Sequence, residues 1–188
     1  MTKHYKTFTI SIAVLLLIAI CALWIRTKVA SPSYKRYLPL IYHYAEEYEL
    51  SPSLVLAVIK VESNFDPQAR SNQDAYGLMQ ITENTLEWAI LREGKNAEHS
   101  VEALYNPETN IKYGCYILSL LIREFEDTGT ALSAYNAGRS NALKWLKDSR
   151  YSNDGISLHT TPYNETNHYM KTVLEYQEKY QETLGESS

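Results

Sequence analysis

The segment from Asn106 to Phe125 limits how this chain can fold more than any other. Asn106 is suited to cap a helix, Pro107 fits the first helical position, and Ile111, Gly114, Ile117, Leu118, Leu121, Ile122 and Phe125 recur at helical spacing. The resulting apolar stripe is too wide for a surface helix with one neighbour, so this helix is expected at the centre of a core built from other helices. Candidates for those partners lie on both sides of it. Tyr34 to Tyr48 reads as helical, with Leu38, Ile41, Ala45 and Tyr48 on one face, and stops before Ser51-Pro52. Ser51 then caps a helix that Pro52 opens and that runs to Ser63. Shorter helices are expected from about Asn84, around Leu132, around Leu143, and from about Glu165 to Tyr180, with the Asn153-Asp154-Gly155 turn between the last two. No segment alternates in the manner of a half-buried strand, and no repeat or low-complexity tract is present. Residues 37–184 therefore read as one all-α domain.

The N-terminal residues differ in kind. Phe8 to Ile25 is an almost unbroken apolar run, flanked by Lys3 and Lys6 on one side and Arg26 and Lys28 on the other. Its length, about 18 residues, reaches the lower limit for a bilayer-spanning helix. A cleaved signal peptide is the competing reading, but the run is long for a signal core, and Lys28-Val29-Ala30 puts a charge where a cleavage site wants a small side chain. Residues 1–30 are accordingly expected to form an uncleaved membrane anchor with its flanks, and residues 31–36 a short tether. Cys21 falls inside the apolar run after a bulky Ile20, which fits a side chain in lipid better than a lipoprotein site. Basic residues flank both ends about equally, so charge does not orient the span.

Composition narrows the classes of partner. A net charge of −4 with both signs interspersed supplies no cationic face for nucleic acid. The two cysteines, Cys21 and Cys115, cannot meet if one lies in lipid, so the fold is expected to need no disulfide. The five histidines show no metal-ligand spacing, and neither a metal nor a cofactor is expected. The 16 tyrosines suit half-buried packing and, equally, grooves that stack against sugar rings.

Glu62 stands out chemically. It follows Val58 by four residues and Ile59 by three, so a carboxyl group shares the apolar face of its helix. Burial there withholds hydration from the charged form, which raises the pKa toward that of a proton donor at neutral pH.

Four short segments surround this residue in sequence order. Glu62-Ser63 is followed by Asn64, Phe65 and Pro67, then by Gly77-Leu78-Met79-Gln80, then by Ala134-Tyr135-Asn136-Ala137-Gly138, and last by Pro162-Tyr163-Asn164-Glu165 with Tyr169. Asn110-Ile111-Lys112-Tyr113-Gly114 falls between the second and third. In this order the segments resemble the soluble lytic transglycosylase family, a lysozyme-like helical fold that cleaves peptidoglycan, and the similarity runs from about Tyr37 to Tyr180.

The resemblance implies a role for each matched residue. Glu62 would be the catalytic acid and then base, and Ser63 would help orient the sugar or the carboxyl. Gly77 would let the backbone approach a saccharide, and Gln80 would exchange hydrogen bonds with its hydroxyls. Met79 suits a soft groove wall or, equally, the core. The Tyr135 hydroxyl would reach Glu62. Asn136 would serve an acetamido group or the backbone of a helix that Gly138 closes. Glu165 would hold the loop around Tyr135, bind substrate, or satisfy amides at a helix start. Tyr169 would line the groove or pack.

Most glycosidases need two carboxylates, whereas these motifs supply one. The family's mechanism protonates the oxygen between N-acetylmuramic acid and N-acetylglucosamine, with the substrate's N-acetyl group stabilising the cationic centre. The ionised acid then takes the proton of the muramoyl C6 hydroxyl, which closes a 1,6-anhydro ring without water. Two alternatives stay open: a muramidase-type hydrolase using Asp66 or Asp74 to activate water, and a non-catalytic wall-binding or assembly protein. The implied partner is the peptidoglycan glycan strand, with the domain held outside the cytoplasm by its single-pass anchor and facing the cell wall. This chain departs from the family pattern at Asp74 and Ser140, where glycine is usual, at Thr82, where proline is usual, and at Asn167, where arginine is usual.

Overall fold

Side-chain caps set most of the helix starts in the computed structural model, which describes residues 33–94 and 100–186. Helix α1 is Leu38–Glu47, α2 Pro52–Ser63, α3 Glu83–Glu93, α4 Pro107–Phe125, α5 Thr128–Ala137, α6 Arg139–Leu146 and α7 Asn164–Leu184. Ser51 accepts from the Leu54 amide at 3.3 Å, Thr82 from Thr85 at 3.3 Å, Asn106 from Glu108 at 3.0 Å, and Asp127 from Thr130 at 2.7 Å. Each bond satisfies an amide that the first turn leaves without a carbonyl, a stabilisation of about 1 kcal/mol per cap.

Two expectations need correction. The segment expected to be helical from Tyr34 to Tyr48 divides into a 3-10 helix, Ser33–Tyr37, and then α1. Pro39 sits in the first turn of α1; it carries no amide hydrogen and disfavours α geometry in the residue before it, so the α-helix starts late. Strands were not expected, yet Ala75–Tyr76 (β1) and Ile81–Thr82 (β2) pair antiparallel, Ala75 opposite Thr82 and Tyr76 opposite Ile81. Strands of two residues are too short for alternation to register as a pattern. The apolar run expected as a membrane anchor, and the first two residues of the tether after it, fall outside the described residues, while the rest of the tether lies in the 3-10 helix; no helix among the described residues is long and apolar enough to cross a membrane.

Packing of the helices follows from which are apolar on one side and which are apolar all round. Helix α4 buries Ile111, Ile117, Leu118, Leu121 and Phe125 and contacts α1, α3 and α5, as its wide stripe requires. In α2 every residue from Leu54 to Ile59 is buried, so that helix is enclosed on all sides, with α1 and α7 against it. The α2–α7 contact is the most extensive between helices, and α7 also packs on α5. Glu62 thus projects from the last turn of an enclosed helix, just where that helix emerges from the core.

Candidate active site

Behind Glu62 lie the fully buried side chains of Val58 and Ile59. The helix then ends abruptly, with Asn64 and Phe65 both left-handed at φ 51° and 67°. In front of it opens a groove of about 760 Å³, lined among others by Glu62, Gln80, Tyr135, Asn136 and Glu165. These five residues, drawn from α2, the β1–β2 turn, α5 and α7, are brought together from separate stretches of the chain. Glu62 keeps a partial opening to the groove while protein atoms crowd its carboxyl, and this burial raises its pKa from 4.5 to about 7. The neighbouring Tyr169 hydroxyl opposes the shift by offering a donor, and the like charge of Glu165 adds to it.

Tyr169 is 5% exposed, and its hydroxyl adjoins the Glu62 carboxyl. It does not reach well-aligned hydrogen-bond geometry with that carboxyl or with any other group among the described residues. Tyr135 is differently placed. Its hydroxyl donates to the Met79 carbonyl at 2.8 Å, and burial followed by the charge of Glu62 holds its pKa well above the ordinary value, so both phenols stay neutral beside Glu62.

Ser63, Gly77 and Met79 stand behind the groove wall. Ser63 donates its hydroxyl to the Leu78 carbonyl at 2.8 Å and to the Ile59 carbonyl at 3.2 Å, joining α2 to the β1–β2 turn. Gly77 has φ +75°, and a Cβ there would collide with the Asn110 side chain and the Leu104 carbonyl, so its missing side chain makes room for Asn110. The Met79 side chain is fully buried and occupies the space that a Cβ on Gly114 would need. Of the two roles open to Met79, the core is the one it fills. Gln80 lines the groove, but its amide donates to the Gly77 carbonyl at 2.8 Å and the Ala69 carbonyl at 3.3 Å. Asn136 accepts from the Thr166 hydroxyl at 2.8 Å, linking α5 to α7, and Glu165 is exposed in the first turn of α7.

Sequence reasoning passed over other lining residues, among them Asn72, Gln73, Asn84, Trp88 and Asn141. Trp88 was detectable: α3 buries only Leu86 and Ala89, and a large aromatic on so weakly amphipathic a helix needs another surface to cover it. Arg92 lies over its ring at 4.8 Å. The four departures from the family pattern each have a local account. Asp74 takes the left-handed φ of 54° that favours glycine and is held by Arg70 at 2.6 Å. Thr82 caps α3, and Ser140 lines the groove at the start of α6. Asn167 accepts from the Thr161 amide at 2.7 Å and donates to the Thr161 carbonyl at 3.0 Å, clamping the entry to α7.

The groove therefore offers one carboxyl poised between protonated and ionised near neutral pH, two neutral phenols beside it, and walls rich in amides and hydroxyls. Such a wall suits a neutral, polyhydroxylated ligand. Residues 39–157 match the transglycosylase SLT domain family. The chain belongs to this family. Among its relatives is the membrane-bound lytic murein transglycosylase C of Actinobacillus pleuropneumoniae serotype 5b, 34% identical over 167 residues, covering 78% of this chain and 46% of that protein. The 70 kDa soluble lytic transglycosylase of Escherichia coli superposes with a TM-score of 0.70 at 28% identity, over 86% of this chain and 27% of that one. An inactive glutamate-to-glutamine mutant of the lytic transglycosylase Slt from Pseudomonas aeruginosa gives 0.70 at 29% identity, over 84% and 25%. The chain thus spans about half the length of this curated relative and about a quarter of these solved structures. The mostly helical, lysozyme-like SLT fold expected after the N-terminal segment is the fold the chain adopts.

Proposed function

We propose that this protein is a peptidoglycan lytic transglycosylase that cleaves between N-acetylmuramic acid and N-acetylglucosamine and leaves 1,6-anhydro ends, with Glu62 as its acid and base. The observation that carries this proposal is a carboxyl crowded by protein at the floor of a groove, with a pKa raised to about 7. Protonated Glu62 gives its proton to the bridging oxygen as the bond to the anomeric carbon breaks. The resulting carboxylate takes the proton of the muramoyl C6 hydroxyl as that oxygen closes on the anomeric carbon. Glu62 ends as it began, and no water is consumed. Intramolecular attack has a large effective concentration, so a groove that excludes water from the far face favours it.

The placement of Asp66 and Asp74 speaks against a hydrolase that uses either of them. Glu62 and Glu165 are the only carboxylates among the described residues that line the groove. Asp66 closes a turn by accepting from the Gln68 amide at 2.9 Å, and Asp74 is paired with Arg70, so neither is placed to activate water at the groove. Gln80, Tyr135 and Asn136 would line the saccharide path, with Ser63, Gly77 and Met79 shaping it from behind and Tyr169 tuning Glu62. Residues 37–184 would be the catalytic domain, held at a membrane by the apolar run through the short tether and facing the cell wall. The membrane-bound names of relatives support membrane association, and the single-pass anchor is our inference from the apolar run.

Mass analysis of muropeptides released from purified sacculi tests the reaction. Wild type should release anhydro-muramoyl products, and Glu62→Gln should lower their rate by about a thousandfold, within the range for loss of a general acid–base. Reducing ends in their place would indicate a hydrolase, and equal clearing by both proteins would contradict the role of Glu62.

A further inference from the structure

We propose that Asn110, a residue remote from the groove surface, is a positioning residue for Glu62, acting through the Gly77–Gln80 turn. This rests on the role given to Glu62 above. Asn110 is fully buried, and its side chain bonds only to the backbone of other segments. Its Oδ1 accepts from the Met79 amide at 2.7 Å, and its Nδ2 donates to the Tyr76 carbonyl at 2.8 Å and to the Leu104 carbonyl at 2.9 Å. An amide side chain can do this because it offers donors and an acceptor on one planar group. Gly77 makes the space for it, since a Cβ there would overlap the Asn110 amide. One turn along α4, Gly114 leaves the space that the Met79 side chain fills. Backbone and side chain of Met79 are therefore held by two positions four residues apart on one helix.

The held segment is the one that reaches Glu62. The Leu78 carbonyl receives the hydroxyl of Ser63, the residue after Glu62, and the Met79 carbonyl receives the hydroxyl of Tyr135, whose neutral ring adjoins the groove floor. Asn110, Ser63 and Tyr135 thus fix three consecutive backbone polar groups from three helices, and only Asn110 does so from inside the core. Within the turn the Gln80 backbone amide reaches the Gly77 carbonyl only at 3.3 Å, and Gln80 is left-handed at φ 49°, so the three outside bonds add to a weak internal closure. With Asn110 removed, the Met79 amide and two buried carbonyls lose their partner, and the turn is free to shift against α2 and α5. A displacement of about 1 Å near a reacting group costs on the order of a hundredfold in rate.

The deciding experiment compares Asn110→Ala and Asn110→Asp with Ile41→Ala, a core deletion in α1 away from the groove. Each protein is measured for thermal unfolding, for kcat and KM on sacculi, and for titration of the Glu62 carboxyl by carbon-detected NMR. Folded Asn110 variants should lose about 10- to 100-fold in kcat with KM nearly unchanged. Their Glu62 titration should move toward that of a hydrated glutamate, while Ile41→Ala melts earlier yet keeps the wild-type kcat and titration. Asn110→Asp keeps the shape and the acceptor but not the donors, so it decides the question where Asn110→Ala does not fold. Wild-type kcat and titration in either folded Asn110 variant overturns the proposal, as does an equal loss in Ile41→Ala. If neither Asn110 variant folds, the residue serves stability alone and the proposal falls. A wild type that releases no anhydro products contradicts the function assigned to Glu62, whereas the NMR titration still judges Asn110 by itself.

Discussion

Glu62 and Asn110 are both polar side chains set among apolar neighbours on helices, and their surroundings differ in one respect. The amide of Asn110 bonds to three backbone groups, all of which are thereby satisfied. The carboxyl of Glu62 has crowding on most sides, a poorly aligned phenol and a like charge from Glu165. The first arrangement locks a loop in place, because a buried amide with every partner present resists displacement. The second leaves a group whose charged form is poorly supported, and a group in that condition holds and releases a proton near neutral pH. Rigidity and reactivity are built from the same kind of burial and are separated by how completely the polar atoms are paired.

If that contrast is right, removing the charge at Glu62 should stabilise the protein, and only in one range of pH. A carboxyl whose pKa rises from 4.5 to about 7 on folding binds its proton more tightly in the folded state. Stability of the wild type should therefore fall as pH rises from the unfolded to the folded value. Glu62→Gln lacks this loss, so its advantage should be small at pH 4 and grow to about 3 kcal/mol by pH 8. Chemical denaturation at the two values checks this; an advantage independent of pH would mean the carboxyl is not strained by its surroundings. A gain in stability with a loss of turnover is the usual trade at an active site.

The Asn110 side of the comparison is tested by crowding the other half of the same grip. Gly114→Ala would press a methyl into the Met79 sulfur and should cost about 1–3 kcal/mol at every pH, as overpacking does. A neutral result would show that the turn yields easily. The smallest effect is expected at Tyr169→Phe, which removes a buried hydroxyl that has no well-formed bond to lose. Stability should change by less than about 1 kcal/mol. The Glu62 titration should move upward, since this hydroxyl lowers it. A large loss of stability there would reveal a strong hydrogen bond and weaken the contrast.

The sequence carried the helix framework because caps and periodicity are local. Ser51-Pro52 and Asn106-Pro107 announce α2 and α4 through bonds made within three residues of the cap. It carried Glu62 for a similar reason, since a charge on an apolar face is visible from i, i+3 and i+4 spacing. The hairpin was hidden because two-residue strands have no period. Ser63, Gly77 and Met79 belong to a motif that encloses the groove, and motif membership alone does not distinguish a side chain facing the groove from one facing away. The segment of Asn110 was visible as part of the family pattern, but its role was not, because Tyr76 and Met79 lie more than thirty residues away and only the tertiary fold brings them to its side chain.

Direct titration of the Glu62 side-chain carboxyl by carbon-detected NMR, with Glu62→Gln used to assign its signal, bears most closely on this account. A midpoint near pH 7 is the predicted result. A midpoint near 4.5, the value of a freely hydrated glutamate, would contradict it, because the groove would then hold an ordinary carboxylate with no proton to give.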